Sequence, residues 1–226
     1  MTRDVAVALA LARKDALAEL RGRVATGTTL FFGAIVLLLF GFALGPDARR
    51  LQEAAPGLLW LAIVFAGLLA VGRLHEAETE DGALEQLALY PVSRHALYAG
   101  KALAGFAAML VLGGVLLPIV ALLYRVDVLA AVLPLAATLV LGAAGFAAVV
   151  TCYAALTVRM RSRELLLPLL VLPVVAPLLL AAVKATVASL AGDPLGELGA
   201  WLALLAAFAA LMLIAGAVTY RFALDD

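Results

Sequence analysis

Long charge-free apolar runs alternate along this chain with shorter polar segments. The runs occupy positions 24–45, 54–72, 102–124, 128–158, 165–183 and 198–220. A helix that crosses a bilayer needs roughly 17–25 apolar residues, so the pattern predicts six transmembrane helices. The fourth run is too long for one straight span. Pro134 near its start predicts a helix that begins late, bends there or extends past the membrane. The fifth run holds Pro168, Pro173 and Pro177. Each lacks an N–H and crowds the preceding turn, and in lipid such breaks survive only where protein or water satisfies the freed carbonyls. That helix is expected to be kinked and to face the interior. Small residues cluster in the fourth helix at Gly142–Gly145, Ala147 and Ala148, with a second pair at Gly113 and Gly114 in the third. Small residues let helices approach closely in lipid, which favours packing over a substrate path.

Ahead of the first run, Val5, Leu9, Ala12, Ala16 and Leu20 share one side at helical spacing, with Arg3, Lys14 and Arg21 opposite. This predicts an amphipathic interfacial helix over 1–23, its apolar face in the headgroup region and its basic face toward anionic lipid. The charges between Arg3 and Arg23 interrupt any long apolar core of a cleavable leader, so the first span is expected to act as the insertion signal.

Lys and Arg placement sets the orientation. With the N-terminus inside, the inner segments hold Arg3, Arg13, Lys14, Arg21, Arg23, Arg73, Arg94, Lys101, Arg159, Arg161, Arg163 and Arg221. The outer loops hold Arg49, Arg50, Arg125 and Lys184. Both termini are therefore expected in the cytoplasm.

Composition agrees. Apolar residues make up 66% and charged residues 14%, against about 45–50% and 25% in soluble domains. One compact membrane domain over 1–226 fits, without room for a fused catalytic domain. Sixteen basic and sixteen acidic residues cancel, which argues against nucleic-acid binding by bulk charge. The lone Cys152 excludes a disulfide framework and a cysteine-rich metal site.

No enzyme constellation is apparent. Gly100-Lys101 is followed by Ala102, whereas a P-loop requires Ser or Thr there. His75 and His95 share one polar loop without a zinc spacing, and the spans contain no His, Asp or Glu for a proton relay. Cys152 sits in an apolar helix with no base nearby in sequence, which reads as packing.

The polar segment 73–101, RLHEAETEDGALEQLALYPVSRHALYAGK, is far longer than the other loops. Glu76, Glu78, Glu80 and Asp81 precede a short helix expected over 82–90, where negative charge suits the N-terminus and Asp81 can cap it. Pro91 stops this helix, and Ser93 caps the next. Leu84 and Leu87 share a face flanked by Leu89 and Tyr90. A short cytoplasmic helix with an exposed apolar face calls for a partner groove. The acidic residues disfavour its resting on an anionic leaflet.

The stretch APGLLWLAIVFAGLLAVGRLHEAETEDGALEQLALYP, positions 54–91, closely resembles the haem exporter protein B family. The Ala-Pro-Gly, the following Leu-Trp, the Arg-Leu ending the helix and the Asp-Gly-x-Leu-Glu-Gln-Leu of 81–87 fall in the family's order. VLPVVAPLLL at 171–180 is a second match. Length, six spans and inside N-terminus fit throughout; Gly72 departs, standing where many members have an acidic residue. The resemblance implies an all-α membrane protein with the fold of type-2 ABC exporter permeases. It implies two copies working with two copies of a cytoplasmic ABC ATPase subunit in cytochrome c maturation, exporting haem or driving release of haem-loaded chaperone. It implies a haem-handling membrane subunit and a haem chaperone as further partners, besides membrane lipid. The 82–90 helix becomes a coupling helix in the ATPase cleft, with Asp81, Gly82, Leu84, Glu85, Gln86, Leu87 and Tyr90 as coupling residues. No catalytic, metal or cofactor residue is expected in this chain, haem being at most a transient passenger and ATP being bound only by the partner. The competing readings are an ABC-2 permease for a drug, lipid or polysaccharide, and a non-transporting scaffold for haem-handling proteins.

Overall fold

A computed structural model describes residues 2–21, 23–80, 93–157 and 163–223. Among them the order is α1 (Thr2–Arg21), α2 (Arg23–Leu44), α3 (Ala48–Glu80), α4 (Arg94–Tyr124), a 3-10 turn (Leu129–Ala131), α5 (Val132–Thr157), α6 (Arg163–Leu190) and α7 (Leu198–Ala223). All but α1 are long and apolar enough to cross a membrane, giving six spans.

Helix α5 is the centre. Phe146, Ala147, Ala148, Val149 and Val150 are completely enclosed, and α5 packs against α3, α4, α6 and α7. Its small residues make this possible. A side chain at Gly142 would run into the Trp60 ring of α3, and one at Gly145 into Leu178 of α6. Gly113 of α4 likewise receives Leu139, whereas the space beside Gly114 is open. In lipid, such close contact does the work that water does for a soluble core. Peripheral α2 and α7 keep large apolar side chains exposed, among them Phe31, Phe42, Leu211 and Ile214. So large an apolar surface is untenable in water and ordinary in a bilayer.

The turns 45–47, 125–131 and 191–197 close the far end, each built on an aspartate cap. Asp47 accepts from the Arg49 and Arg50 amides, Asp127 from those of Leu129 and Ala130, and Asp193 from those of Glu197 and Leu198. Arg125 closes α4 in the left-handed conformation at φ 55°. Arg49 pairs with Glu53 at 2.9 Å and Arg50 with Asp47 at 3.3 Å, so this end is locally neutralised.

Pro134 lies in the first turn of α5, after the 3-10 turn, so that helix starts late, one of the outcomes its proline predicts. Other expectations need correction. Helix α6 turns Val171, Val175, Leu178, Ala181, Ala182 and Ala185 to the core, while Pro173 and Pro177 are exposed and Pro168 is half-buried. Lys184 belongs to the exposed face of α6 rather than to a loop. Helix α3 has 33 residues, about 50 Å at 1.5 Å per residue, and outruns a hydrocarbon layer about 30 Å thick. It continues beyond Arg73 to Glu80, and α4 begins at Arg94, after its Ser93 cap and ahead of the charge-free run. Much of the segment 73–101 is therefore helical extension at both ends.

Candidate functional site at the start of α4

Asp81, Gly82, Leu84, Glu85, Gln86, Leu87 and Tyr90, the coupling residues expected from sequence, lie outside the described residues, as does the side chain of His75. Their downstream anchor is described in full. Ser93 is the N-cap of α4, its hydroxyl accepting from the Ala96 amide at 3.3 Å, as expected. The next turns are clamped on two sides.

On one side sits Tyr98, 2% exposed. Its hydroxyl lies 3.3 Å from both the Ala148 carbonyl of α5 and the Met212 carbonyl of α7. A phenol has one proton to donate, so it serves these two acceptors in alternation. Gly216 lies directly beneath the ring, where any side chain would collide with it. The start of α4 is thereby tied to the last turns of α7.

On the other side α1 lies against α4. Gly100 is the crossing point: a Cβ there would stand 2.9 Å from Leu11 Cβ and 3.0 Å from the Ala8 carbonyl oxygen. Leu11, Ala12 and Asp15 form the buried side of α1, while Val5 and Leu9 stay exposed. The amphipathic helix expected on lipid therefore spends one face on α4 and keeps part of its apolar stripe free. One residue beyond Gly100, Lys101 Nζ lies 3.0 Å from Asp15 Oδ2. Lys14 Nζ meets the other carboxylate oxygen at 3.2 Å. The Lys101 and Asp15 side chains are 4% and 7% exposed, against 57% for Lys14. The contact to Oδ2 is close but off the hydrogen-bond axis, so it holds by charge. Sequence reasoning placed Lys101 in the loop and missed this pair, as it missed Tyr98.

A third tie runs from Arg73 of α3 to the Thr29 hydroxyl of α2. Between α4, α5 and α7, a half-open apolar crevice of ≈ 450 Å³ is lined by Tyr98, Ala102, Leu103, Phe106 and Leu213, with exposed His95 at its rim. Among the described residues no group of three His, Cys, Asp or Glu could hold a metal ion. Cys152 is unpaired with any cysteine and half-buried. What this arrangement can do chemically is mechanical: it holds the helix that follows 81–92 against α1, α5 and α7 at once.

Six apolar spans, with α5 close-packed among four of the others, define a multi-pass helical membrane protein. The profile of the CcmB protein family matches residues 6–225, and the chain belongs to that family. It is 37% identical to heme exporter protein B of Pseudomonas aeruginosa over 217 residues, 89% of each chain. Against heme exporter protein B of Bradyrhizobium diazoefficiens it is 34% identical, over 96% of this chain and 98% of the relative. The protein of that name from Rhodobacter capsulatus is 36% identical over 76% of this chain and 78% of its own length.

Proposed function

We propose that this chain is the membrane subunit of an ABC transporter for haem export and cytochrome c maturation, non-catalytic in itself and driven by a separate cytoplasmic ATPase subunit. The observation that carries this reading is the family match, which runs across all six spans rather than one motif. In this reading 1–226 is one permease domain with the type-2 exporter fold, sited in the bacterial inner membrane. The near end, bearing α1, the start of α4 and the end of α7, faces the cytoplasm. The basic excess on that side supports this, as does the local neutralisation of Arg49 and Arg50 at the far end.

Residues Asp81, Gly82, Leu84, Glu85, Gln86, Leu87 and Tyr90 then dock the ATPase. A second copy of the chain, a haem-handling membrane subunit and a haem chaperone complete the assembly. The chain carries no resident cofactor, and haem contacts it only in passing. Deleting this chain and measuring exported holo-cytochrome c, alongside purification of the native complex, tests the reading. Loss of holo-cytochrome, with an ATPase and haem-handling subunits co-purifying, is expected. Normal cytochrome maturation in the deletion overturns it.

A further inference from the structure

Lys101 sits two turns inside an apolar helix, and its partner Asp15 lies on a different helix 86 residues earlier, since 101 minus 15 is 86. Both are enclosed. Removing two charges from water is expensive, and well-packed apolar residues of similar volume would hold two helices together at least as well. What apolar contact lacks is register. If α1 slid by one helical turn, about 5.4 Å, or rotated on its axis, Asp15 would keep its neighbour Lys14, but the buried contact to Lys101 would be broken, and breaking a buried pair is costly. Gly100 adds a second constraint, because it brings the α1 backbone to the α4 surface at one point. Charge and shape therefore agree on a single seat for α1.

We propose that Asp15 and Lys101 form a buried ion lock that fixes α1 in one register on the first turns of α4. The two residues act as positioning residues for coupling, because α4 is the helix that follows the 81–92 segment. Through Tyr98 the same turns reach α5 and α7. A tilt of α4 thus carries α1 with it and is felt at the end of α7. The coupling role, though not the lock itself, rests on the function proposed above.

The test uses the full chain in native membranes opened to both sides, with Cys152→Ala removing the native thiol. Leu11→Cys, beneath the lock, should react slowly with a membrane-impermeant maleimide, and Ala10→Cys, on the exposed side, quickly. Asp15→Ala or Lys101→Ala should raise Leu11→Cys labelling roughly tenfold, the expected consequence of breaking a buried ion pair. Each should also depress holo-cytochrome c formation. The exchanged pair, Asp15→Lys with Lys101→Asp, made with Lys14→Ala to remove the like charge beside position 15, should restore both protection and maturation. Should the single variants not accumulate, the exchanged pair decides: it should accumulate like wild type with Leu11→Cys protected. Unchanged labelling in the single variants, or an exchanged pair that labels like them or fails to accumulate, overturns the lock. Freed α1 with undiminished maturation overturns the coupling role, provided deletion of the chain abolishes maturation. If deletion has no effect, the proposed function fails while the labelling pattern still judges the lock.

Discussion

The Trp60 indole nitrogen on α3 donates to the Thr186 hydroxyl on α6 at 2.9 Å, joining residues 126 apart in the chain. The far edge of the same ring rests on Gly142 of α5. One side chain therefore sets the spacing of three helices. Thr186 passes its own proton to the Ala182 carbonyl at 2.7 Å, leaving the hydroxyl oxygen free to accept from the indole.

Gly142→Leu should destabilise the bundle more than Trp60→Phe. The leucine forces ring and helix apart, and overpacking of this kind costs about 1–3 kcal/mol. The phenylalanine forfeits an interhelical hydrogen bond, worth about 0.6 kcal/mol on average in membrane bundles, together with part of the ring. Thermal unfolding of the detergent-purified subunit should rank the Tm values wild type, Trp60→Phe, Gly142→Leu. The reverse order would mean that the α3–α5 contact is looser than described.

Much of this architecture is legible in the sequence because lipid imposes a simple rule: charge-free runs of sufficient length become spans. Six runs yield six helices, and the glycines of α5 sit at close contacts. The helix ends are less legible. Ser93 marks the start of α4 at Arg94, but a window that stops at the first charge starts the third run only at Ala102, and nothing local shows that Lys101 is buried against Asp15. No local pattern reports a partner in another helix. The one available hint is Asp15 itself, a carboxylate in line with Ala8, Leu11 and Ala12. The inward face of α6 is hard to read for a related reason. Helical spacing places Pro173 and Pro177 together, but periodicity does not say which face turns inward, and here the valines and alanines do.

Orientation is open to direct test. In a Cys152→Ala background, cysteines at Asp47 and Asp193, in the far-end turns, should label from outside intact cells with an impermeant maleimide. A cysteine at Asp81 should label only after the membrane is opened. Labelling at position 81 in intact cells would invert the proposed topology.

Haem should not form a stable axial-ligand complex with the isolated subunit. Haem iron is ordinarily held by His, Met, Cys or Tyr. His95 stands at the rim of a half-open crevice, while Met109 is fully enclosed and Tyr98 is held by carbonyls of α5 and α7. Titration of haem into purified wild-type and His75→Ala/His95→Ala subunits should give similar weak, non-stoichiometric spectra. A stoichiometric six-coordinate spectrum lost in the double variant would make these histidines ligands.

ATP turnover by the purified subunit alone should be indistinguishable from buffer, since the sole Gly-Lys, Gly100-Lys101, lies inside α4 with its lysine committed to Asp15. Hydrolysis that persists after removal of any co-purifying ATPase would refute the division of labour between subunits.

The most direct test of that division is retention of ATPase on the membrane subunit when the 82–90 segment is altered. Leu84→Asp and Leu87→Asp each place a carboxylate at the centre of the proposed docking face, where an unpaired buried charge costs about 3–5 kcal/mol. The account predicts that both variants reach the membrane at wild-type levels, lose most of the co-purifying ATPase and fail to support cytochrome c maturation. Ala6→Asp, on the exposed side of α1, should retain the ATPase nearly as wild type does. Full ATPase retention and normal maturation in both leucine variants would contradict the account.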